Sequence, residues 1–292
     1  MAEVHDSPPV ALRSVVSYNW RVRQFLNRVR VRYRYPAIIL REMVSTDLKL
    51  KYQGSFLGYL WTLLRPLALF TILYVVFVRF IRLGAGVPYY AIYLLLGIIL
   101  WGFFSELTSQ GLPSIVVRAP LLRRVNFPRY VIVLSVGASV LISFLLNLLV
   151  MAFFMLLMRV PVRLEILWII PLFLELVVFS VSVALFLSAL YVRLQDLTYI
   201  WEVFLQAAFY ATPIIYPLSL VPNRWASVLV LNPVAQIMQD ARYVLVTDQA
   251  QTISELWGTP WARAIPVGIT LILAVGSVIF FRRRSRTFAE EA

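Results

Sequence analysis

Six apolar runs constrain this 292-residue chain more than any other feature: Trp61 to Ile81, Tyr89 to Leu107, Tyr130 to Met158, Ile166 to Val192, Tyr199 to Tyr216 and Ile265 to Phe281. Each is near the ~20 residues that a helix needs to cross a hydrocarbon core of ~30 Å. Backbone polar groups find no water partner in lipid, so a spanning run of this composition must pair them within itself, as a helix does. With 61% hydrophobic and 14% charged residues, the chain holds more apolar surface than one soluble core can bury. The third and fourth runs are long enough to tilt or to extend beyond the bilayer, and the fifth and sixth are short. The expected fold is all-α, a polytopic membrane protein with six transmembrane helices.

The net charge of +13 lies where the apolar runs stop. Six spans distribute the 27 arginines and lysines as 20 on one side and seven on the other, which makes the richer side cytoplasmic and places both termini there. A membrane surface, and no nucleic acid, is the partner this pattern implies. There are no cysteines, so disulfides and thiolate metal sites are excluded, and the lone histidine, His5, sits in a polar tail without the features of a signal peptide.

Four regions follow. Residues 1–35 form a basic cytoplasmic tail whose end, RVRVRYRY, fits either a basic amphipathic helix or a short strand. Residues 36–58 form an amphipathic interface helix, with Ile39, Leu40, Met43 and Val44 on one face. It leads into DLKLKYQGSFLGYLWTLLRP, where Lys49 and Lys51 snorkel at phosphate level, Gly54 and Ser55 permit a bend, and Trp61 anchors the interface. Residues 59–281 hold the six spans and 282–292 a cytoplasmic tail. The external segment Pro217 to Pro260 is apolar for a soluble loop, and its run Val228 to Leu231 and amphipathic stretch Val234 to Leu245 fit either short re-entrant helices or a helical cap resting on the surface, with re-entrance ahead because Leu229, Val230 and Leu231 would otherwise face water.

No glycine-rich phosphate cradle, zinc-protease or nucleophile-elbow pattern occurs, and the acidic residues of the external loop are scattered. A membrane-embedded transferase, which needs acids or histidines clustered at one membrane face, has little support. Glu175 lies ~13 Å into the bilayer from Ile166 at 1.5 Å per residue. It either lines a pathway or gate, or is a protonated or paired structural group. Glu106 and Glu202 lie near the cytoplasmic ends of their spans, within reach of headgroups or basic partners. Arg65, beside Pro66, is an interfacial anchor or a ligand for a phosphate. Tyr59, Trp61, Phe103 and Phe104 fit either an aromatic surface along which sugar rings slide, or belt and packing roles.

The stretch DLKLKYQGSFLGYLWTLLRPL resembles the N-terminal signature of permease subunits of ABC exporters for bacterial cell-surface polysaccharides. LLRRVNFPR (Leu121 to Arg129), Tyr191 to Leu197, TPIIYP (Thr212 to Pro217) and LNPVAQIMQDAR (Leu231 to Arg242) resemble further segments of that family in the expected order, over about residues 36 to 281. The resemblance implies a homodimer bound by two copies of a separate cytoplasmic ABC ATPase. It implies no cofactor on this chain, with ATP and Mg on the ATPase. It assigns ATPase coupling to segments 36–52, 112–125 and 191–198, hence to Asp47, Lys49, Lys51, Arg123, Arg124, Arg193, Gln195 and Asp196. Where relatives carry an Arg-Asp pair, this chain has Gln195-Asp196, which leaves the ion pair from position 195 in doubt. The implied substrate is a lipid-linked polysaccharide moved across the bacterial inner membrane, with Tyr59, Trp61, Arg65, Phe103, Phe104 and Glu175 as its path. The 25 arginines against two lysines resemble the usage of actinobacterial galactan exporters, while an O-antigen-type glycan fits the same residues. A drug or small-lipid ABC exporter has the same spans, and lacks only the resemblance of the basic N-terminus and external loops.

Overall fold

The computed structural model describes residues 35–51, 58–84, 86–125, 127–161, 163–285 and 288. The tail 1–34, the bend at Tyr52, Gly54 and Ser55, and most of 286–292 lie outside these residues, as do the side chains of Tyr59 and Arg123. All regular structure among the described residues is helical.

Helix α1 (35–51) precedes α2 (Gly58–Leu73), which continues as a π-helix over Tyr74–Phe80. Next come α3 (Tyr90–Gly111), the short α4 (Ser114–Val117) and α5 (Ala119–Arg124), and α6 (Tyr130–Leu157). A 3₁₀ turn, Leu164–Trp168, opens α7 (Ile169–Tyr191), and α8 (Leu197–Ala211) follows. Then α9 (Asn223–Leu229), α10 (Pro233–Leu245), α11 (Ile253–Leu256) and the 3₁₀ turn Pro260–Arg263 lead into α12 (Ala264–Arg284).

Helix α3 is apolar on every side and stands in the middle, packed against α2, α6, α7, α8 and α10. Tyr90 to Trp101 are buried without a break. Helices α7 and α12 form the most extensive helix pair. One end of the bundle carries α1, α4, α5, the turn 192–196 and the last turn of α12 with Arg282, Arg283 and Arg284; we call it the basic face, and the opposite end the far face.

Five helices are long and apolar enough to cross a membrane among the described residues, not six: Leu60–Phe80, Tyr90–Gly111, Tyr130–Leu157, Leu164–Tyr191 and Pro260–Arg284. The run expected as a span over Tyr199 to Tyr216 stops being helical at Ala211. Helix α8 has 15 residues, about 22 Å at 1.5 Å per residue. The cause is local. Thr212 precedes Pro213, whose ring drives the preceding residue out of the α region, and Thr212 takes φ −86° and ψ 138°.

Helix α10 packs beside α3 and α7 instead. Asn232 caps it, its side chain accepting from the Val234 amide at 3.0 Å, and Pro233 takes the first helical position, where no N–H is needed. Every residue from Pro233 to Leu245 except Tyr243 is buried, against α3, α7 and α12. The stretch Val234 to Leu245 is thus packed into the bundle.

Candidate functional site

On the basic face, α1 lays Ile39, Leu40 and Met43 against Phe127, Val131 and Ile132 at the start of α6. Two ion pairs then fasten it. Arg118, between α4 and α5, places Nη2 at 2.5 Å and 2.6 Å from the two carboxylate oxygens of Asp47. Its Nη1 donates to Ser135 Oγ at 2.8 Å and to the Ile132 carbonyl at 3.3 Å on α6. Lys51 donates from Nζ to Glu106 Oε1 on α3 at 2.9 Å and to Ser143 Oγ on α6 at 3.0 Å, and Gln110 donates to the same Glu106 oxygen at 2.9 Å. One guanidinium and one ammonium therefore join α1 to α3, α4, α5 and α6. Their acceptors on α6, Ser135 and Ser143, belong to one stripe with Ser139 and Asn147 at four-residue steps.

Lys49 and Arg124 stay exposed on this face. So do Arg193, Gln195 and Asp196, in the turn joining α7 to α8. That link is not helical; its backbone closes through Arg193 N to Leu190 O at 3.1 Å and Leu197 N to Leu194 O at 3.1 Å, because too few residues separate the helices for another turn of helix. Asp196 precedes α8 without capping it through its side chain. By contrast, the segment 112–125 does form short helices, α4 and α5.

The far face is built around α10. Arg242, in the last turn, is wholly buried, and all three of its donor groups reach backbone carbonyls: Nε to Tyr93 at 3.2 Å, Nη1 to Pro213 at 2.6 Å and Nη2 to Ile214 at 2.8 Å. Its guanidinium lies 3.6 Å from the centre of the Tyr93 ring, and the Tyr90 hydroxyl donates to the Ile215 carbonyl. The carbonyls of Pro213, Ile214 and Ile215 lie just past the break after α8, outside any helix, and find these partners instead. Gly97 makes the approach possible: a Cβ there would come 2.6 Å from Arg242 Nη2 and 3.3 Å from the Ile214 carbonyl oxygen. One turn before the end of α10, Asp240 accepts from Gln236 Nε2 at 2.7 Å and faces Arg263, with Nε at 3.2 Å and Nη2 at 3.4 Å from its two oxygens. Burial pushes the Asp240 carboxyl up from its ordinary range, against the pull of Arg263 and the Gln236 amide.

The residues expected along a path fall in different places. Trp61 and Arg65 are exposed on α2, none of whose described residues is buried. Tyr59 is on the same helix. Phe103 and Phe104 are inside the helix bundle, packed on Phe144 at 4.7 Å and Phe179 at 5.7 Å between ring centres. Glu175 is half-buried on α7, and its Oε1 is buried without a hydrogen-bond partner. Helix α8 leans on α3 through Trp201, which donates to Thr108 Oγ1 at 3.1 Å, while Glu202, Val203 and Gln206 remain exposed. No cluster of three or more His, Cys, Asp or Glu side chains suited to a metal occurs among the described residues.

Comparison with known proteins gives this geometry a family. Residues 40–246 match the ABC-2 type transporter family, from α1 to the end of α10. The chain belongs to the ABC-2 type transporter family. An O-antigen export system permease protein RfbA of Myxococcus xanthus is 29% identical over 268 residues, covering 90% of this chain and 98% of the relative. A Klebsiella pneumoniae protein of the same name is 28% identical over 255 residues, covering 86% and 94%. A second Klebsiella pneumoniae protein of that name is 28% identical over 201 residues, 68% of this chain and 77% of the relative.

As an ABC-2 permease the chain is a multi-pass membrane protein whose family implies partnership with an ABC ATPase. Several residues that organise this ABC-2 chain escape a reading of its sequence. Arg118 and Ser135 are one loop arginine and one serine among many, and only the four-residue spacing of Ser135, Ser139 and Ser143 hints at a polar stripe. Arg242 reads as a surface charge on an amphipathic helix. Its partners come from a break about thirty residues earlier, which no local pattern connects to it.

Proposed function

We propose that two copies of this chain form the membrane path of an ATP-driven exporter of a lipid-linked polysaccharide of O-antigen or galactan type. The relatives named as O-antigen export permeases, aligned over most of both chains, support the substrate class. The observation that carries the mechanism is the basic face. There α1, α4, α5 and the 192–196 turn stand together, and the ion pairs of Arg118 and Lys51 tie α1 to the spans. This face is cytoplasmic by its arginine excess. Two copies of a separate ATPase, which bind ATP and Mg, grip it through Lys49, Arg123, Arg124, Arg193, Gln195 and Asp196, while Asp47 and Lys51 act behind that surface by holding α1 in place.

ATP binding draws the two ATPases together, and the clasp passes that motion to α3 and α6 as one body. The path opens between protomers along α2, where the exposed Trp61, with Tyr59, meets sugar ring faces and Arg65 meets the phosphate of the lipid anchor. Phe103, Phe104 and Glu175 lie behind that wall and set its rigidity. This chain contributes no catalytic residue and no cofactor.

The test is ATP hydrolysis by the chain purified with the ATPase encoded beside it, in lipid, with and without lipid-linked glycan. Stimulation by glycan that is weakened in Asp196→Ala while the complex stays assembled is the expected result. Failure of any ATPase to co-purify, or hydrolysis indifferent to both glycan and substitution, refutes the reading.

A further inference from the structure

The far face carries a second, smaller apolar core. Leu218, Ala226, Val230, Ile253 and Ala262 pack together and hold α9, α11 and the turn Pro260–Arg263 as one cap over the bundle. The side of this cap turned away from that core is aromatic. Trp225 is 60% exposed on α9, with Val228 exposed three residues later on the same face. Trp257 is 43% exposed and lays its ring across α9, donating from Nε1 to the Ser227 carbonyl at 3.4 Å. Trp261 is 82% exposed in the 3₁₀ turn that runs without interruption into α12.

That continuity decides what the patch meets. From Trp261, the residues Ile265, Ile269, Ile272 and Ile279 follow at helical spacing along α12, every one of them exposed and apolar. No charged residue occurs between Ala264 and Phe281, so this stripe faces acyl chains and not an aqueous path. Trp261 stands at the far-face end of this stripe, one turn before Ile265. The neighbouring span α7 repeats the arrangement: Trp168 is exposed at its far-face start, ahead of exposed Ile170 and Leu174. Indole rings suit this depth because the ring is apolar and its N–H remains able to donate to ester and phosphate oxygens. Arg224, 5.8 Å from the Trp225 ring, adds a cation at the rim of the patch.

We propose that α9, α11 and the turn Pro260–Arg263 form a foot seated on the phospholipid leaflet at the far face, with Trp225, Trp257 and Trp261 as its contacts. The proposal rests on the fold and not on the export reading. It places the cap on the lipid side of the molecule.

The chain has no cysteine, so one can be introduced at position 225, 257 or 261 of the full-length protein and labelled with a nitroxide in phosphatidylglycerol and phosphatidylethanolamine bilayers. Relaxation by oxygen, which concentrates in lipid, is expected to exceed relaxation by a water-soluble nickel chelate at all three positions, with the reverse at Asn223. As an independent measurement on a variant that keeps its apolar bulk, quenching of intrinsic tryptophan fluorescence by lipids brominated near the headgroup is expected to fall in W225F/W257F/W261F. Preferential relaxation by the nickel chelate means that the patch faces water or glycan, and overturns the proposal. Protection from both reagents means that a second copy covers it, and overturns it equally.

Discussion

Replacing Asp47 by alanine removes the only carboxylate that Arg118 contacts at hydrogen-bond distance among the described residues, and leaves its Ser135 and Ile132 bonds in place. About four-fifths of each side chain in the pair is shielded, with exposures of 20% and 23%. Coulomb's law at an effective dielectric constant of ~20 gives about 4 kcal/mol for charge centres ~4 Å apart. The cost of drying the two ions removes roughly half of that, leaving about 2 kcal/mol to hold α1 against α4, α5 and α6. At 1.36 kcal/mol per factor of ten, undocking of α1 becomes about thirty-fold more frequent. Amide hydrogen exchange over residues 36–51, measured on the full chain in nanodiscs, reads this directly, because local opening sets the exchange rate of such a helix. Arg118→Asp combined with Asp47→Arg is expected to recover most of the protection that either single change loses. If exchange in α1 is unchanged in Asp47→Ala, or if the exchanged pair is as unprotected as the single variants in a chain that remains folded, the clasp does not hold the helix.

Three further outcomes follow from the far face and from α7. Gly97→Ala is expected to lower thermal stability by about 1–3 kcal/mol, because the Arg242 end it strikes is pinned by three carbonyls and cannot step aside; an unchanged melting temperature in detergent would show that the knot is loose. Arg242→Leu leaves the carbonyls of Pro213 and Ile214 without their donor, at about 1–3 kcal/mol each, so poor recovery of folded protein is expected, with partial rescue in Arg242→Lys detected by size-exclusion profile. Glu175→Leu removes a buried oxygen that has no partner and is expected to hold or raise stability, by up to about 2 kcal/mol; a clear loss in thermal unfolding refutes a carboxyl without structural contacts.

Where the chain's physics is local, the sequence is readable. Five of the six long apolar runs coincide with helices long and apolar enough to cross a membrane among the described residues, and the amphipathic stretch Val234 to Leu245 coincides with α10. The early end of α8 was also within reach, since Thr212-Pro213 carries a backbone rule that hydropathy averages away. The same holds for the packing of Phe103 and Phe104: a helix apolar on every side, as α3 is, belongs at the centre of a bundle, and its rings pack on Phe144 of α6 and Phe179 of α7. Asp47 and Arg242 are different. Asp47 looks like a group offered to a partner protein, yet its partner is 71 residues away in the same chain, and Arg242 answers carbonyls exposed by a distant proline. Pairings of that length depend on how the helices stack, and no window of sequence contains them.

The fixing of residues 213–215 by Arg242 and Tyr90 has a mechanical consequence for α8. This helix is anchored firmly at its far end, while over the rest of its length Leu205 is its only buried residue and Trp201 its main hold on α3. It is therefore a lever fixed at Thr212. Over a length of about 22 Å, a tilt of about ten degrees displaces its opposite end by about 4 Å. That end is tied to α7 by the turn bearing Arg193, Gln195 and Asp196, so a movement of a few ångströms imposed on the turn becomes a small change of tilt beside α3, with the far face held still.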